Sequence, residues 1–348
     1  MKDNVKESLE RTWPPCSKFA KLSNADSTLR TEEVFDKGEF VKDPLVSVLV
    51  LTYRHEQYIE ECVSSICQQK TDFSFEVLVG EDASPDGTLR ICLDLQQRYP
   101  KQVKVIYSKA NAGLVGNMVR LNNRARGKYI AICEGDDFWV DARKLAKQVG
   151  VFETRTDVSL VHMLVWQQYE MAKWTRCPAA FRTVRRLLKS NELDGRQQQR
   201  KMLIDGNFIQ TPTVMCRKDA FAKACDDLVK IERITHWIPS TDFMLWFFCM
   251  SSGKAYFMPE VVAVKRVNST SLTTIRDPKI VYARILGDKR NAVAMASEIG
   301  FSEDDMKKVI TDMDVAEAKY NSPNATCQSG MKPIDYLFKR LLITIFRI

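Results

Sequence analysis

The chain has 348 residues, 45% of them hydrophobic and 28% charged, with a formal net charge of +8. That length suits one large α/β domain with appendages or two modest domains. The moderate positive balance has no basic cluster among aromatics, so it favours a small anionic partner such as a nucleotide, phospholipid or polyprenyl phosphate over nucleic acid. Ten cysteines lack any CxxC spacing and three histidines lack HExxH spacing, which argues against a disulfide framework and a zinc site. No apolar run reaches the roughly 20 residues of a membrane span. With no signal-peptide core at the start and cysteines scattered as apolar fillers, the expected location is cytoplasmic.

Residues 1–43 mix charges, Ser, Thr and two prolines without a persistent period. They read as an N-terminal arm that drapes over the domain or stays partly disordered. A strict alternation follows. Val46–Leu51 is a strand and 56–69 a helix with Ile59, Val63 and Ile66 along one side; Phe75–Val79 is a strand and 86–98 a helix. Val103–Tyr107 is the next strand, 114–125 a helix, and Tyr129–Cys133 a strand. This order specifies a parallel sheet with helices on its faces. Farther on, Asp141 caps a helix through Val151 and Val158–Gln167 is a strand. The Arg-, Lys- and Gln-rich stretch 182–201 reads as a solvated helix or acceptor-side loop. A short strand at 212–217, helices from Asp219 and over 241–250, and a closing strand Val261–Val267 complete the domain. Residues 277–348 read as helical, with no internal repeat.

Parallel sheets bind ligands at the carboxyl ends of their strands. Each polar cluster falls there: Thr52-Tyr53-Arg54-His55, Glu81-Asp82-Ala83-Ser84, Asn111-Ala112-Gly113 and Glu134-Gly135-Asp136-Asp137. The pattern suggests a nucleotide pocket, and the absence of GxGxxG and GxxxxGK[ST] argues against NAD enzymes and P-loop ATPases. In the last cluster three carboxylates meet at the end of a buried strand. Uncompensated, they would cost several kcal/mol, in rough terms, unless paired, protonated or bound to a cation. Glu134 and Asp136 are two apart and can share one divalent ion, plausibly the ion that holds a sugar nucleotide's diphosphate.

The stretches VSVLVLTYRHEQYIEECVSSICQQ, FEVLVGEDASPDGT, NAGLVGNMVRLNNRARGKYIAICEGDDFW and STDFMLWFFCMSSG resemble, in order and spacing, family 2 glycosyltransferases of GT-A fold. The resemblance covers roughly residues 44–268 and is nearest to bacterial enzymes that build surface polysaccharides. It implies a Rossmann-like, mostly parallel central sheet flanked by helices. The corresponding division is an arm over 1–43, a transferase domain over 44–270 (nucleotide-sugar half 44–140, acceptor half 141–270) and a helical extension over 271–348. The resemblance implies that Thr52, Tyr53 and Asn117 line the nucleotide and that Asp82 accepts from a uracil-type ring N–H. By the same correspondence, Glu134 and Asp136 form the D-x-D pair for Mg²⁺ or Mn²⁺, with Asp136 the direct ligand and Glu134 on ribose or metal. Asp242 takes the proton from an acceptor hydroxyl in an inverting displacement. The partners so implied are a nucleotide-diphosphate sugar, UDP-linked because of Asp82 with GDP and dTDP as the alternatives, and a saccharide or polyprenyl-linked acceptor.

Three departures stand out: Arg54 where Asn is frequent, Glu134 for the first Asp, and VAVKRVNSTSLT where the family commonly has Tyr-Arg-x-His. There Arg266 matches, as the expected diphosphate contact, and Asn268 stands for the histidine. These departures keep a non-catalytic sugar-nucleotide-binding or scaffolding subunit in view. A sugar nucleotidyltransferase is disfavoured, because the loop after the first strand has no glycine. Asp86 reads as a cap, Asp242 has an N-cap role as its alternative reading on residues alone, and Trp139, Trp237 and Trp246 read as core. His55 and His236 read as surface or supporting residues. Residues 334–348 form an amphipathic pattern with a basic flank. It would lie on an anionic membrane face or pack on the domain or a second subunit, giving a homo-oligomer.

Overall fold

The computed structural model describes residues 31–33, 40–169, 181–235 and 238–267, with isolated helical positions Arg284, Gly287, Asp288, Asn291, Asp304, Lys307 and Thr311. The readings of Asn268, His236, Trp237 and the 334–348 amphipathic pattern lie outside the described residues.

Nine strands make one sheet: β1 (Thr31–Glu33), β2 (Val46–Thr52), β3 (Phe75–Glu81), β4 (Val103–Ser108), β5 (Tyr129–Glu134), β6 (Phe138–Trp139), β7 (Val158–Tyr169), β8 (Met215–Arg217) and β9 (Lys254–Val267), in the order β1-β4-β3-β2-β5-β8-β7-β9-β6. From β4 to β5 all pairings are parallel. The short β8 then runs antiparallel to both β5 and β7, and β7 pairs parallel with β9, so the acceptor half is mixed rather than parallel. The outer edge of β4 is covered by β1. Beside it, the Gln96 side-chain Oε1 accepts the Val105 N–H at 2.6 Å.

The strands of the first half are apolar throughout because both faces are covered. On one face Leu49, Leu51, Leu78 and Ile132 pack against α3 (Gly113–Asn122), α6 (Gly195–Asp205), α7 (Lys218–Thr235) and α8 (Thr241–Cys249). On the other, Val48, Val50, Val77 and Val79 meet α1 (Ile59–Cys67), α2 (Thr88–Arg98) and α4 (Lys144–Thr154). The seven described cysteines are free and mostly buried.

Two local differences from the sequence reading have clear causes. The first helix starts at Ile59, not 56: Arg54 sits at φ 59° and Glu56 is spent accepting the Gly87 N–H at 3.0 Å, so the chain leaves β2 through a tight loop. The 182–201 stretch is helical and largely solvated, as expected, but it is two helices, α5 (Phe181–Ser190) and α6, and the inner glutamines Gln198 and Gln199 of α6 are fully buried. Gln198 donates to the carbonyls of Ser190 and Ala255, both at 2.8 Å, and Gln199 donates to that of Phe247 at 2.7 Å. A glutamine can face a core when its amide completes backbone hydrogen bonds that would otherwise be orphaned.

Candidate active site

β2 ends at Thr52, which is 2% exposed, with a hydroxyl that has no hydrogen-bond partner among the described residues. Tyr53 beyond it is 37% exposed and carries the Arg54 guanidinium over its ring at 5.2 Å. The loop is tied to the next strand's rim, since the Arg54 N–H donates to Ser84 Oγ at 2.9 Å and the His55 N–H to Thr88 Oγ1 at 3.0 Å. Asp86 accepts from the Thr88 amide and hydroxyl at 3.1 and 2.6 Å, just outside the helix whose N-cap is Gly87 and not, as the sequence suggested, Asp86. His55 Nε2 lies 3.9 Å from Asp136 Oδ1, while Nδ1 is buried without a partner. Burial lowers the His55 pKa, against the pull of Asp136 and Asp86.

After β3, Asp82 is only 3% exposed, and each carboxylate oxygen accepts an amide from the start of α3: Ala112 N–H at 2.8 Å and Gly113 N–H at 2.9 Å. Burial raises its pKa, and the Ala112 amide, the Arg120 guanidinium and the Gly113 amide oppose the rise. An anion at a helix N-terminus is stabilised by these unpaired amides. Asn117 is likewise committed, donating to Gly80 O at 2.8 Å and accepting from Arg120 at 2.6 Å. The structure thus gives the two expected nucleotide contacts internal tasks, building the floor of the rim; a base contact by Asp82 would use its remaining lone pairs.

The acidic tetrad closes β5. A Cβ on Gly135 would stand 2.7 Å from His55 Nδ1 and 2.8 Å from Thr52 Oγ1, so only glycine lets this turn lie against the β2 loop. Asp136 keeps one fifth of its side chain exposed. Asp137 is buried; Oδ1 accepts the Arg266 N–H at 2.8 Å and Oδ2 has no partner among the described residues. Burial, with Asp136 and Glu134 adding, pushes its pKa well up. Glu134 is pushed up to about 7 by burial; Lys265 opposes the shift, and the charges of Asp136 and Asp242 add to it.

Arg266 clamps this turn. Its guanidinium donates to Asp136 O at 2.7 Å, pairs with Glu61, and lies over the rings of Phe138 and Tyr58 at 4.5 and 5.1 Å. In this arrangement Arg266 holds the loop itself, a task that the expected diphosphate contact did not include. Lys265, beside it in β9, escaped the sequence reading. Burial lowers its pKa, but Glu134, Asp137, Asp242 and Asp136 together raise it, a single cation facing four carboxylates. The available signal was a lysine interrupting the apolar run Val261–Val264 at the rim end of a strand.

Asp242 lies in the first turn of α8, where Ser240 and not Asp242 is the N-cap. Its Oδ1 accepts the Phe243 N–H at 2.8 Å and its Oδ2 the Asn207 side-chain amide at 3.0 Å. Although more than a hundred residues apart in sequence, Glu134 and Asp242 line one groove, together with Thr211, Thr241 and Trp246. Thr211 Oγ1 and Trp246 Nε1 also lack partners among the described residues. Asn207 and Thr211 carried no sequence signal beyond their type.

No group of three or more His, Cys, Asp or Glu among the described residues forms a ready metal cage. The donor set nevertheless fits a hard divalent cation. Such an ion is commonly held by one or two carboxylates plus phosphate oxygens and water, and Asp136 with Glu134 supplies that pair beside the unpartnered Asp137 Oδ2.

The sequence family described as Glycosyl transferase family 2 matches residues 47–224, just over half of the chain. An uncharacterized protein of Mycobacterium tuberculosis is 30% identical over 225 residues, covering 64% of this chain and 58% of that protein; the chain thus spans under two thirds of this relative's length. Among solved structures, S. aureus TarS 1–349 in complex with UDP aligns with a TM-score of 0.52 at 16% identity, over 85% of this chain and 78% of that one. The mannosyltransferase PcManGT from Pyrobaculum calidifontis, in complex with GDP-Man and Mn²⁺, aligns with a TM-score of 0.51 at 17% identity, over 99% of this chain and 87% of that one. At these identities the likeness to the two structures is one of fold, GT-A.

Proposed function

Because the chain belongs to glycosyl transferase family 2, we propose that it moves a sugar from a nucleoside-diphosphate donor, UDP-linked, to a hydroxyl of a glycan or lipid-linked acceptor in cell-surface polysaccharide synthesis. The observation that carries this reading is the groove that Glu134, the first residue of the tetrad, shares with Asp242. It brings a carboxylate fit to hold the diphosphate's cation within one cleft of a carboxylate fit to receive a proton. The polar atoms of Thr52, Thr211 and Trp246 that lack partners among the described residues support a polar ligand here.

In this reading Asp242, steadied by Asn207, accepts the acceptor's proton as its oxygen bonds to the anomeric carbon from the face opposite the breaking bond to the diphosphate, so configuration inverts. General-base help of this kind is worth about 10² to 10⁴ in rate. Asp136 and Glu134 would hold Mg²⁺ or Mn²⁺, which when bound neutralises charge on the departing diphosphate. Lys265 adds a fixed positive charge to the same region, and positioning two substrates in one groove lowers the entropic part of the barrier. No helix among the described residues is long and apolar enough to cross a membrane. The reaction is assigned to the cytoplasm or the inner membrane face, where nucleotide sugars and polyprenyl-linked acceptors would meet.

A panel of nucleotide sugars with Mn²⁺, read as donor hydrolysis and acceptor transfer, tests the reading. Wild type turns over at least one donor; Asp136→Ala abolishes turnover and Asp242→Asn reduces it by about 10² or more. Nucleotide binding without turnover of any donor or acceptor would instead identify a non-catalytic sugar-nucleotide subunit.

A further inference from the structure

Asp288 lies C-terminal to the last described strand and outside the family match, yet it reaches the start of α8, two residues from Asp242. It is 7% exposed, and its Oδ1 accepts the Ser240 N–H at 3.0 Å. Ser240 is the N-cap of α8 but makes no side-chain cap of its own. The carboxylate that anchors the beginning of this helix therefore comes from Asp288, 48 residues away. Two residues beyond Ser240, Asp242 is held from the other side by the Asn207 amide at 3.0 Å. Asn207 is fixed in turn by accepting the Ile209 N–H at 2.9 Å, next to Gly206 at φ 86°. The turn that aims Asp242 is thus pinned at two points, one from each flanking segment.

Burying a carboxylate costs free energy unless partners repay it. Burial pushes the Asp288 pKa well up; the Ser240 hydrogen bonds oppose this, nearby Asp242 adds to it, and Arg284 opposes it. A second acid beside an intended base is unfavourable for the fold alone, so its placement calls for a local task.

We propose that Asp288 is a positioning residue for Asp242: by fixing Ser240 it sets the α8 turn so that the Asp242 carboxylate meets Asn207 and faces the groove. The inference rests on the assignment of Asp242 as base. It makes Asp288, beyond β9, part of the acceptor half.

Asp288→Ala, assayed on the full chain, should lower kcat at least about tenfold, with UDP affinity by calorimetry unchanged. Asp288→Asn keeps an acceptor at the same reach and should restore kcat to within about threefold of wild type. Asp288→Glu, one methylene too long, should behave like Ala, and it carries the test together with Asn should Ala not fold. Wild-type kcat in Ala or Glu would overturn the proposal, and so would a parallel loss of kcat and UDP affinity. If wild type turns over no donor, the transferase reading fails on its own terms. A crystal structure of Asp288→Ala or →Glu then decides this proposal: the Asn207–Asp242 hydrogen bond should be lost, and its persistence would overturn the assignment.

Discussion

Replacing Arg266 by alanine separates two roles for the same side chain. Sequence resemblance makes it a diphosphate contact; the structure makes it the clamp on the tetrad. The clamp comprises a charge-assisted hydrogen bond to the Asp136 carbonyl at 2.7 Å and contacts with Phe138 and Tyr58 at 4.5 and 5.1 Å, plus a pair with Glu61, whose side chain is 56% exposed. Hydrogen bonds to charged groups contribute about 1.5–3 kcal/mol and each ring contact about 0.5–1 kcal/mol. The exposed Glu61 pair adds about 0–1 kcal/mol. Because neighbouring contacts do not sum fully, the expected loss for Arg266→Ala is about 3 kcal/mol. Arg266→Lys should lose about half of it, since one ammonium cannot serve Asp136 O and Glu61 as a planar fork does. Urea denaturation reads the stability, and metal-free UDP titration reads the other role, with affinity expected within about threefold of wild type. A stability within about 0.5 kcal/mol of wild type, coupled to a collapse in UDP affinity, would refute the clamp and restore the diphosphate contact.

Glu134 gives a pH signature. Its folded pKa of about 7 exceeds the ordinary 4.5, so between these values the folded state binds a proton that the unfolded state has released. Stability therefore falls as pH rises through that window and stays lower above it, by at most ~3 kcal/mol at about 1.4 kcal/mol per unit. Glu134→Gln should remove this contribution while leaving the opposite ones of buried His162 and Lys144 in place, so the change in urea midpoint from pH 5 to pH 8 should be more favourable in the variant than in wild type; the same change in both proteins would place the titration elsewhere. Gly135→Ala forces a Cβ to within 2.8 Å of Thr52 Oγ1 and still nearer to His55 Nδ1. Overpacking of this kind costs about 1–3 kcal/mol, and here it should also lower kcat/KM by about tenfold. A crystal structure with an undisplaced β2 loop and full activity would contradict it.

The first half of the fold was readable because β2, β3 and β5 are buried on both faces, and continuous apolar runs between amphipathic helices leave few alternatives. The rim was readable for the same reason: polar residues at four strand ends need a ligand or a partner. Which of the two each has was not readable. Asp82 and Asn117 look like ligand contacts until the amides of Ala112 and Gly113 and the carbonyl of Gly80 are seen beside them. Gln198 and Gln199 looked solvated because composition records polarity, whereas their burial depends on backbone groups of Ala255 and Phe247, some fifty residues away. Lys265 was overlooked because a strand-end lysine usually reaches water, and only the assembled sheet turns this one toward Glu134 and Asp242.

The outer flank of β4 has a consequence for how molecules meet one another. An uncovered strand offers its amides and carbonyls to any other chain and so invites end-to-end growth. Here Thr31–Glu33 occupies the positions opposite Ile106–Ser108, and Gln96 takes the amide of Val105 just beyond them. Pairing of another molecule directly onto β4 is thus hindered by a three-residue ribbon and one glutamine. A chain lacking that ribbon would offer the flank of β4 to its own copies.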